Sequence, residues 1–464
     1  MSCRGNRNLV TDYNTLVPSS ISHSFFLQSF GCRATQADSA AIARALQEKG
    51  LQQVDSAAQA DLVVLNTCTV TAAADQDARA AVRRANRENP NAKVLVTGCY
   101  AQRAPGEVAA LPGVTWVVGN SHKHRVAEIA SSGSQPSDFV PLENVALSGP
   151  AFTLIGDIFA HTDLIAASVF TGKTTAEKTR PNLKVQDGCN NRCSFCIIPG
   201  VRGQSRSMRL ERAVEEVRAL VHAGYREIVL SGINLGRWGR DFQPQMRFEQ
   251  LVRGLLEDTG IEKLRISSVE PMDWSDDLIE LVAGSPRIAR HAHVPLQSGS
   301  DQILRAMHRK YRPWHYAEKI RKIHEAMPEA AIGADVMVGF PGETDELFEE
   351  SRSFIEQLPF TYLHVFTYSS RPGTPSAAMP HQVPVHVARE RNRVLRELAA
   401  CKGLQFRRQF VGRTLKVIVL QTTGEQSTEA LSDNYLRVKV RDRHQPNTWV
   451  QATITHASAE GLIA

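Results

Sequence analysis

The sequence predicts an α/β protein with an N-terminal doubly wound parallel sheet, a central incomplete (β/α) barrel and a small C-terminal β-barrel. Two features of the 464 residues support this fold class. Short apolar runs alternate with helical patterns through most of the chain, and this alternation is typical of parallel sheets. After a long helical stretch at 385–406, the pattern changes to short alternating strands, which indicates a small β-barrel.

The N-terminal unit contains apolar strand patterns that are separated by helical patterns. Ligands of a doubly wound sheet bind at the carboxyl ends of its strands, so these ends are candidate site positions. The predicted strands are 24–30, 62–65, 94–96 and 115–118, and the predicted helices are 36–49 and 73–89.

The central unit repeats the strand–helix alternation six times. This pattern indicates an incomplete barrel whose site lies at the carboxyl ends of the strands. The predicted strands are 183–186, 227–230, 263–269, 291–296, 331–338 and 362–366. The helices between them are predicted to begin near Glu211, Arg247, Asp276, Asp301 and Thr344.

The C-terminal unit has predicted strands at 414–420, 435–440 and 449–455. Its residues Arg437, Lys439 and Arg441 alternate along one strand and therefore share a face. A basic ladder of this kind is expected of a phosphate-binding surface, and an ordinary solvated surface is the alternative. The next candidates for RNA contact lie in one loop of the central unit and are Arg202, Arg206 and Arg209.

Domain boundaries follow from these patterns. The segment 131–136 is rich in Ser with Gly and Pro, as linkers are, and the apolar run 151–170 is expected to pack against a neighbouring domain. The four segments are an N-terminal domain at 22–133, a linker at 134–174, the barrel at 175–405 and the C-terminal domain at 406–464.

The composition is that of an ordinary globular protein, with 42% hydrophobic and 22% charged residues. The first 24 residues contain no apolar segment of the secretory kind. The run 151–170 contains Asp157, His161 and Asp163, and charges in mid-run argue against a membrane span. Eight cysteines are too few for a disulfide scaffold in a chain of this size. We therefore expect a cytoplasmic enzyme without a membrane partner.

A loop after the first barrel strand contains three thiols, Cys189, Cys193 and Cys196, at spacing C-x-x-x-C-x-x-C. A closed structural metal site normally has four protein ligands. Three cysteines on one loop can hold three irons of a 4Fe–4S cluster and leave the fourth iron open to a small molecule. The alternatives are a zinc site with a distant fourth ligand, which the uneven spacing disfavours, and three unrelated core thiols.

A second set of three cysteines, Cys32, Cys68 and Cys99, stands at the ends of three strands of the N-terminal unit. Because the carboxyl ends of parallel strands meet at one edge, the topology predicts that these thiols converge. A second three-thiolate cluster with an open iron is their natural occupant. The alternative is three independent core cysteines. Cys3 and Cys401 are assigned no ligand role.

The cluster loop of the radical S-adenosylmethionine (SAM) enzymes resembles segment 185–199, which reads VQDGCNNRCSFCIIP. This resemblance implies that SAM binds the open iron and that Phe195 lies near the SAM adenine. Later strand ends carry Gly232, Glu270 and Gln297. Each alone favours turn chemistry, but together they indicate ligand contacts, since glycine admits close approach and the polar groups can bond a ribose or an amino acid head.

The methylthiotransferases are similar to this chain over about residues 24–464. The resemblance lies in NTCTVT at 66–71, TGCYAQ at 97–102, HVFTYS at 364–369 and RPGTP at 371–375. It implies an N-terminal methylthiotransferase domain, a radical SAM core and a C-terminal TRAM domain. Together with GINLG at 232–236, the first motif is most like the branch that acts on N(6)-threonylcarbamoyladenosine in tRNA.

This family resemblance also implies a mechanism. It uses two SAM molecules and two 4Fe–4S clusters, one held by each cysteine set. One SAM methylates a sulfur, and the other gives the radical that removes hydrogen from carbon 2 of the adenine. No side chain is needed as a general base, so no catalytic residue is assigned. The partners implied are the tRNA anticodon loop, a flavodoxin- or ferredoxin-type electron donor and a sulfur source.

Three other functions stay open at this point. They are methylthiolation of isopentenyladenosine in tRNA, methylthiolation of a ribosomal protein side chain, and an iron–sulfur RNA-binding module without catalysis. One residue departs from the family pattern. Thr35 stands where the family often has Asn, three residues after the first cysteine, which affects one hydrogen bond near Cys32 and not the ligation itself.

Overall fold

The computed structural model describes residues 23–132, 151–160, 179–423 and 427–464. The predicted α/β class is confirmed, with parallel sheets in the first two units and a curled, mainly antiparallel sheet at the C-terminal end. The extension with Cys3 and most of the predicted linker lie outside the described residues.

The N-terminal unit is a six-stranded sheet in the order β2-β1-β3-β4-β5-β6, and all its strand pairs are parallel. Apolar side chains of both faces pack under helices, as in a doubly wound sheet. The strands are β1 (Ser24–Ser29), β2 (Gln52–Gln53), β3 (Leu62–Thr67), β4 (Lys93–Gly98), β5 (Val114–Gly119) and β6 (Phe152–Leu154). The helices are α1 (Arg33–Glu48), α2 (Ala72–Glu88), α3 (Cys99–Arg103), α4 (Pro105–Ala109) and α5 (Val126–Ser132).

Strand β6 was not predicted, although it belongs to the apolar run 151–170. Phe152 pairs with Trp116 and Leu154 with Val118 on β5. The segment assigned to the linker therefore contributes an edge strand to the N-terminal sheet.

The barrel contains six parallel strands, as the sequence predicted. They form the sheets β10-β9-β7-β8 and β11-β12-β13, which a parallel bridge between Ser268 and His293 connects. One large core fills the space between strands and helices. The strands are β7 (Asn182–Asp187), the antiparallel β8 (Arg206–Ser207), β9 (Glu227–Gly232), β10 (Lys263–Ile266), β11 (His291–His293), β12 (Ala331–Val338) and β13 (Tyr362–Thr367).

The barrel helices begin close to the predicted positions. Ser275 and Thr344 cap two of them, because each side chain accepts a hydrogen bond from a backbone N–H of the first turn. The helices are α6 (Ile198–Arg202), α7 (Leu210–His222), α8 (Phe248–Asp258), α9 (Asp276–Gly284), α10 (Asp301–Ala306), α11 (Pro313–Ala326), α12 (Asp345–Gln357) and the connecting α13 (Val385–Arg408).

The C-terminal unit is a six-stranded sheet in the order β17-β14-β15-β16-β19-β18, with its own apolar core. Strands β15, β18 and β19 were not predicted. The strands are β14 (Thr414–Thr423), β15 (Ser427–Ser432), β16 (Arg437–Arg441), β17 (Trp449–Thr453), β18 (His456–Ala457) and β19 (Leu462–Ile463).

The N-terminal and C-terminal units both contact inward-facing side chains of the barrel strands. Leu183 and Val185 of β7 face the core, so Lys184 between them faces inward, where it binds Asp38 of α1. The C-terminal unit contacts the barrel at the start of β11, where the Tyr435 ring lies 4.5 Å from the ring of His291. The space enclosed by the inner faces of the barrel strands is called the lumen below.

Candidate active site

The first cysteine loop is fixed to the barrel by backbone hydrogen bonds. Gly188 begins the loop at φ +70, and an added Cβ there would collide with the carbonyl of Gln204, so glycine is required. The Cys189 N–H donates to the Gly203 carbonyl at 3.0 Å, and the Ser194 N–H donates to the Met307 carbonyl at 3.1 Å. All three thiols therefore stand on one anchored loop at the carboxyl end of β7.

Hydrogen-bond donors surround these thiols. Arg309 Nη1 lies 3.1 Å from the Sγ of Cys193, and Asn234 Nδ2 lies 3.5 Å from the Sγ of Cys189. Burial raises the pKa of Cys189 and raises the pKa of Cys196 to about 12. A metal must supply positive charge for such buried sulfurs to become thiolates, and these donors then stabilise them.

Glu270, a predicted SAM contact, forms an ion pair with Arg309. Burial raises the pKa of Glu270 although Arg309 opposes this shift. Burial acts to lower the pKa of Arg309, but the neighbouring Tyr311, Glu270 and Cys193 hold it well above its usual value. The pair therefore holds the charged Arg309 guanidinium at the edge of the cysteine loop.

Of the other predicted SAM contacts, Phe195 lies on the same loop, Gly232 lies beside Gln186 of β7, and Gln297 lies beside β12. Phe195 packs edge-on against Phe340 at 6.5 Å, and an added Cβ at Gly232 would come within 3.0 Å of the Gln186 side chain. Gln297 has φ +68 and continues the parallel pairing to Val336. In the described part of the chain, the buried Oδ1 of Asn234 has no hydrogen-bond partner. This acceptor beside Cys189 fits a bound molecule with a donor group, as SAM has.

The second cysteine set converges, as the topology predicted. Gly31 has φ +96, and an added Cβ there would lie 2.6 Å from the Cβ and 2.8 Å from the Sγ of Cys68. Cys32 is therefore beside Cys68. Burial, followed by the neighbouring Cys99 thiol, raises the pKa of Cys68 to about 11, and Cys32 adds to this effect.

Polar side chains contact the other two thiols of this set. Asn120 Nδ2 lies 3.5 Å from the Sγ of Cys99, and the Sγ of Cys32 lies 3.5 Å from Thr35 Oγ1. Thr35 thus makes a polar contact at the position where the family often has Asn. Cys32 is exposed, whereas Cys68 and Cys99 are buried.

A buried group of charges joins this cysteine set to the barrel. Asp38 of α1 binds Lys123, Lys184 and Arg202, and Asp187 of β7 binds the last two of these. Burial acts to lower the pKa of Arg202, but Asp187, then Cys99 and Asp38, hold it well above its usual value. Arg202 therefore stays charged beside the second cysteine set, where it favours thiolates.

The spread of the thiols suits a polynuclear cluster. Ligands of one tetrahedral zinc ion lie only roughly 3.8 Å apart, because Zn–S bonds are about 2.3 Å long. In the described part of the chain, His293, Asp335 and His364 are the residues whose potential ligand atoms all lie within 4.8 Å of one another. No three cysteine sulfurs of these described residues are that close together. Iron–sulfur clusters are larger than one ion and take cysteine thiolates as ligands.

The two cysteine sets are neighbours in space. Helix α6 begins two residues after Cys196, and it packs against α3, which begins at Cys99. Asn120 connects them, since its Nδ2 also donates to the Val201 carbonyl at 2.7 Å. A helix of this length spans only about 8 Å, so both sets face one region above the lumen.

Arg437, Lys439 and Arg441 are exposed on β16, while Val438 and Val440 between them are buried. The predicted same-face arrangement is therefore present. The interpretation of Arg202 and Arg206 as alternative RNA contacts was wrong. They are 2% and 9% exposed and belong to the buried group around Asp187.

Sequence reasoning missed Asp38, Lys123, Arg309 and the group His293–Asp335–His364. All of them act through partners far away in the chain. A charged residue on the buried face of an amphipathic helix, as Asp38 is on α1, was the one available signal.

Two family models match the chain. The radical SAM superfamily matches residues 183–355, and uncharacterized protein family UPF0004 matches residues 24–119. The described part of the chain contains no helix with the length and apolarity that a membrane crossing requires.

Several relatives are similar over most of their length. The chain is 37% identical over 417 residues to threonylcarbamoyladenosine tRNA methylthiotransferase MtaB of Bacillus subtilis, covering 88% of each chain. It is 36% identical over 412 residues to the protein of the same name from Aquifex aeolicus, covering 89% of this chain and 95% of the relative. It is 32% identical over 461 residues to tRNA-2-methylthio-N(6)-dimethylallyladenosine synthase of Saccharopolyspora erythraea, covering 96% of this chain and 90% of the relative.

Among solved structures, the fold is similar to that of TsrM from Kitasatospora setae, a radical S-adenosylmethionine methyltransferase with cobalamin and a [4Fe-4S] cluster bound. The TM-score is 0.56 at 16% sequence identity, and 77% of each chain is covered. This likeness concerns the fold alone.

Proposed function

Since this chain belongs to the radical SAM tRNA methylthiotransferases, we propose that it inserts a methylthio group at carbon 2 of N(6)-threonylcarbamoyladenosine next to the anticodon of tRNA. The relatives with 37% and 36% identity are named for this substrate. The observation that carries the proposal is the proximity of two three-thiol sets, which α6 and α3 bring to one region of the protein.

The radical SAM site holds SAM and one 4Fe–4S cluster, as membership of this superfamily implies. Cys189, Cys193 and Cys196 are its ligands in our proposal. Arg309 and Asn234 donate hydrogen bonds to two of these sulfurs and so stabilise the thiolate form. Phe195, Gly232, Glu270 and Gln297 are assigned to SAM contacts. We assign no side chain as a general base.

A second 4Fe–4S cluster is proposed at Cys32, Cys68 and Cys99. When bound, the radical SAM group would supply one-electron cleavage of a carbon–hydrogen bond, and the second cluster would hold the sulfur that is transferred. The protein holds the two sets at a fixed separation, because Arg202 and Asp38 lock α6 to α1.

In this proposal the protein binds the phosphates of the tRNA and recognises the target base by stacking. Arg437, Lys439 and Arg441 are proposed to contact the tRNA backbone, which positions the RNA without reading its sequence. Loop bases can be splayed out and read by stacking, unlike bases within an A-form helix. We also propose a flavodoxin- or ferredoxin-type electron donor, a separate sulfur source and a cytoplasmic location.

Relatives named for dimethylallyladenosine are the reason to test the substrate directly. Mass spectrometry of tRNA nucleosides from a deletion strain should show loss of the methylthio form of threonylcarbamoyladenosine. Full-length reconstituted protein should restore it in vitro on tRNA that already carries threonylcarbamoyladenosine. Loss of methylthiolated dimethylallyladenosine instead would contradict the proposed substrate.

A further inference from the structure

The inner face of β13 presents three aromatic side chains to the lumen. Leu363 and Val365 pack in the outer core of the barrel, so Tyr362, His364 and Phe366 point inward. Phe366 is 49% exposed, which is unusual for a large apolar residue of a barrel strand. The lumen therefore offers an open aromatic surface.

A chain of close polar contacts links His364 to Tyr362. Asp335 Oδ1 on β12 lies 3.3 Å from His364 Nδ1 and 3.2 Å from His293 Nε2. The other ring nitrogen of His293, Nδ1, lies 2.9 Å from the Tyr362 hydroxyl. Although burial acts to raise it, the hydrogen bonds from both histidines hold the pKa of Asp335 well below its usual range. An ionised carboxylate only accepts hydrogen bonds, so His364 Nδ1 carries the hydrogen.

This arrangement leaves His364 Nε2 for a ligand. Both nitrogens of His293 have partners, whereas the side chain of His364 is 52% exposed. An anion that binds Nε2 must accept a hydrogen from it, so the bound arrangement would be carboxylate–imidazolium–anion. The site is therefore built for a negatively charged group.

The position of Phe366 indicates what carries that anion. Its ring lies 6.4 Å from the His364 ring. Further along the same inner face, Tyr368 packs on Phe340, which contacts Phe195 of the cysteine loop. A flat ligand stacked on Phe366 thus lies between the cysteine loop and His364. Nucleobases stack on exposed aromatic rings in this way.

We propose that Phe366 and His364 form the target-nucleoside subsite, in which Phe366 stacks on the adenine and His364 binds the carboxylate of its N6 substituent. This inference rests on the proposed function, since the threonylcarbamoyl group carries a carboxylate and the dimethylallyl group is apolar. The carboxylate of the threonylcarbamoyl group can pair with His364, whereas the apolar dimethylallyl group cannot, so such a site favours the acidic substrate. Asp335 acts as a positioning residue through His364.

A second positive charge faces the same space from the N-terminal unit. Arg33 follows the ligand Cys32 at the start of α1 and is half-buried. It lies close enough to His291 and Tyr362 to act on both electrostatically. Arg33 therefore adds a positive charge near this part of the lumen, which suits an anionic substituent.

The test compares two RNAs with reconstituted full-length enzyme. One anticodon stem-loop carries N(6)-threonylcarbamoyladenosine, and the other carries its neutral methyl ester. Wild type should prefer the acid in kcat/KM by about ten- to a hundredfold, as expected for a hydrogen bond between charged groups. His364→Ala and His364→Gln should both abolish this preference. Phe366→Ala should raise KM for both RNAs by a similar factor of about ten, because stacking does not depend on the charge.

His315 provides the matched control. It is an exposed histidine on the outer helix α11, and His315→Ala should keep the preference for the acid. Iron content and reductive SAM cleavage without RNA show whether each variant is folded.

Persistence of the preference in both folded His364 variants would overturn the inference, and so would equal use of acid and ester by wild type. His293, Asp335 and His364 are also close enough to share a metal ion. A preference that needs added Zn²⁺ and disappears with a chelator would therefore overturn it too. Wild type that methylthiolates only dimethylallyladenosine RNA would overturn the proposed function, and the inference with it.

Discussion

Arg202 Nη2 lies 3.1 Å from Asp38 Oδ2, and both side chains are almost completely buried. This contact joins the helix that follows the barrel cysteine loop to the helix that follows Cys32. Lys123 and Lys184 also bind Asp38, so this carboxylate is shared by three cations that are almost completely buried. Asp38 therefore helps to set the distance between the two proposed cluster sites, together with Asp187 and Asn120.

Asp38→Asn should lower the free energy of unfolding by about 3–5 kcal/mol, because it leaves buried cations without their anion. Urea unfolding measures this loss. The control is Glu48→Gln in the exposed pair of Arg44 and Glu48, which should cost less than about 1 kcal/mol. Equal losses in the two variants would show that the buried group contributes no more than a surface pair.

The same group predicts acid sensitivity. Burial acts to raise the pKa of Asp38, but Lys123, Lys184 and Arg202 lower it below its usual value, and Arg202 and Lys184 do the same for the buried Asp187. A carboxylate with a lowered folded-state pKa stabilises the protein above its unfolded-state pKa, and this stability is lost as the pH falls toward the folded-state value. The urea midpoint of wild type should therefore fall between about pH 5 and pH 3, and more steeply than that of Asp38→Asn. Parallel pH profiles would contradict this assignment.

Single cysteine changes should separate the two cluster sites. Anaerobically reconstituted wild type should hold about eight irons, two clusters of four. Cys193→Ala should keep about half of this iron and lose SAM cleavage. Cys68→Ala should also keep about half, cleave SAM reductively and form no methylthiolated product, because Cys68 lies in the N-terminal unit beside Gly31 and not on the barrel loop. SAM cleavage by Cys193→Ala, or product formation by Cys68→Ala, would contradict the assignment.

Gly31→Ala should remove the second cluster without touching a ligand. A Cβ at this position would lie 2.6 Å from the Cβ of Cys68, and the backbone has φ +96. We expect about half of the wild-type iron and retained SAM cleavage. Gly50 provides the control, because it has φ +87 and nothing within 4 Å of an added Cβ. Gly50→Ala should bear the same backbone strain of roughly 1–2 kcal/mol and keep all the iron.

The cysteine sets and the order of units could be predicted because each depends on local pattern and on topology. The thiols of Cys32, Cys68 and Cys99 follow three strands whose parallel pairing requires them to converge. Cys189, Cys193 and Cys196 could be predicted as one set from their spacing within a single loop. Most barrel strands also appear as apolar runs, because strands such as β7, β9 and β12 are buried on both sides.

The charged and polar partners could not be predicted in this way. Arg309 is 116 residues from Cys193, and Lys184 is 146 residues from Asp38. The periodicity of the sequence does not specify which of two distant charged residues will be in contact in the fold. Strand β6 was missed for a related reason, because its three residues form a strand only by pairing with β5. An isolated run of that length has no strand signal of its own.

The last prediction concerns the exposed ladder of β16. Arg437, Lys439 and Arg441 project from one face, and each phosphate contact they make releases counterions. Replacing all three with Gln should weaken tRNA binding and lower the slope of log affinity against log salt by ~0.7–0.9 for each lost contact. The matched control replaces three exposed arginines of α13 with Gln and should leave the slope unchanged: Arg389, Arg393 and Arg396. An unchanged slope in the β16 variant, together with reduced thermal stability, would show that the ladder is a solvated barrel face and that other cations hold the RNA.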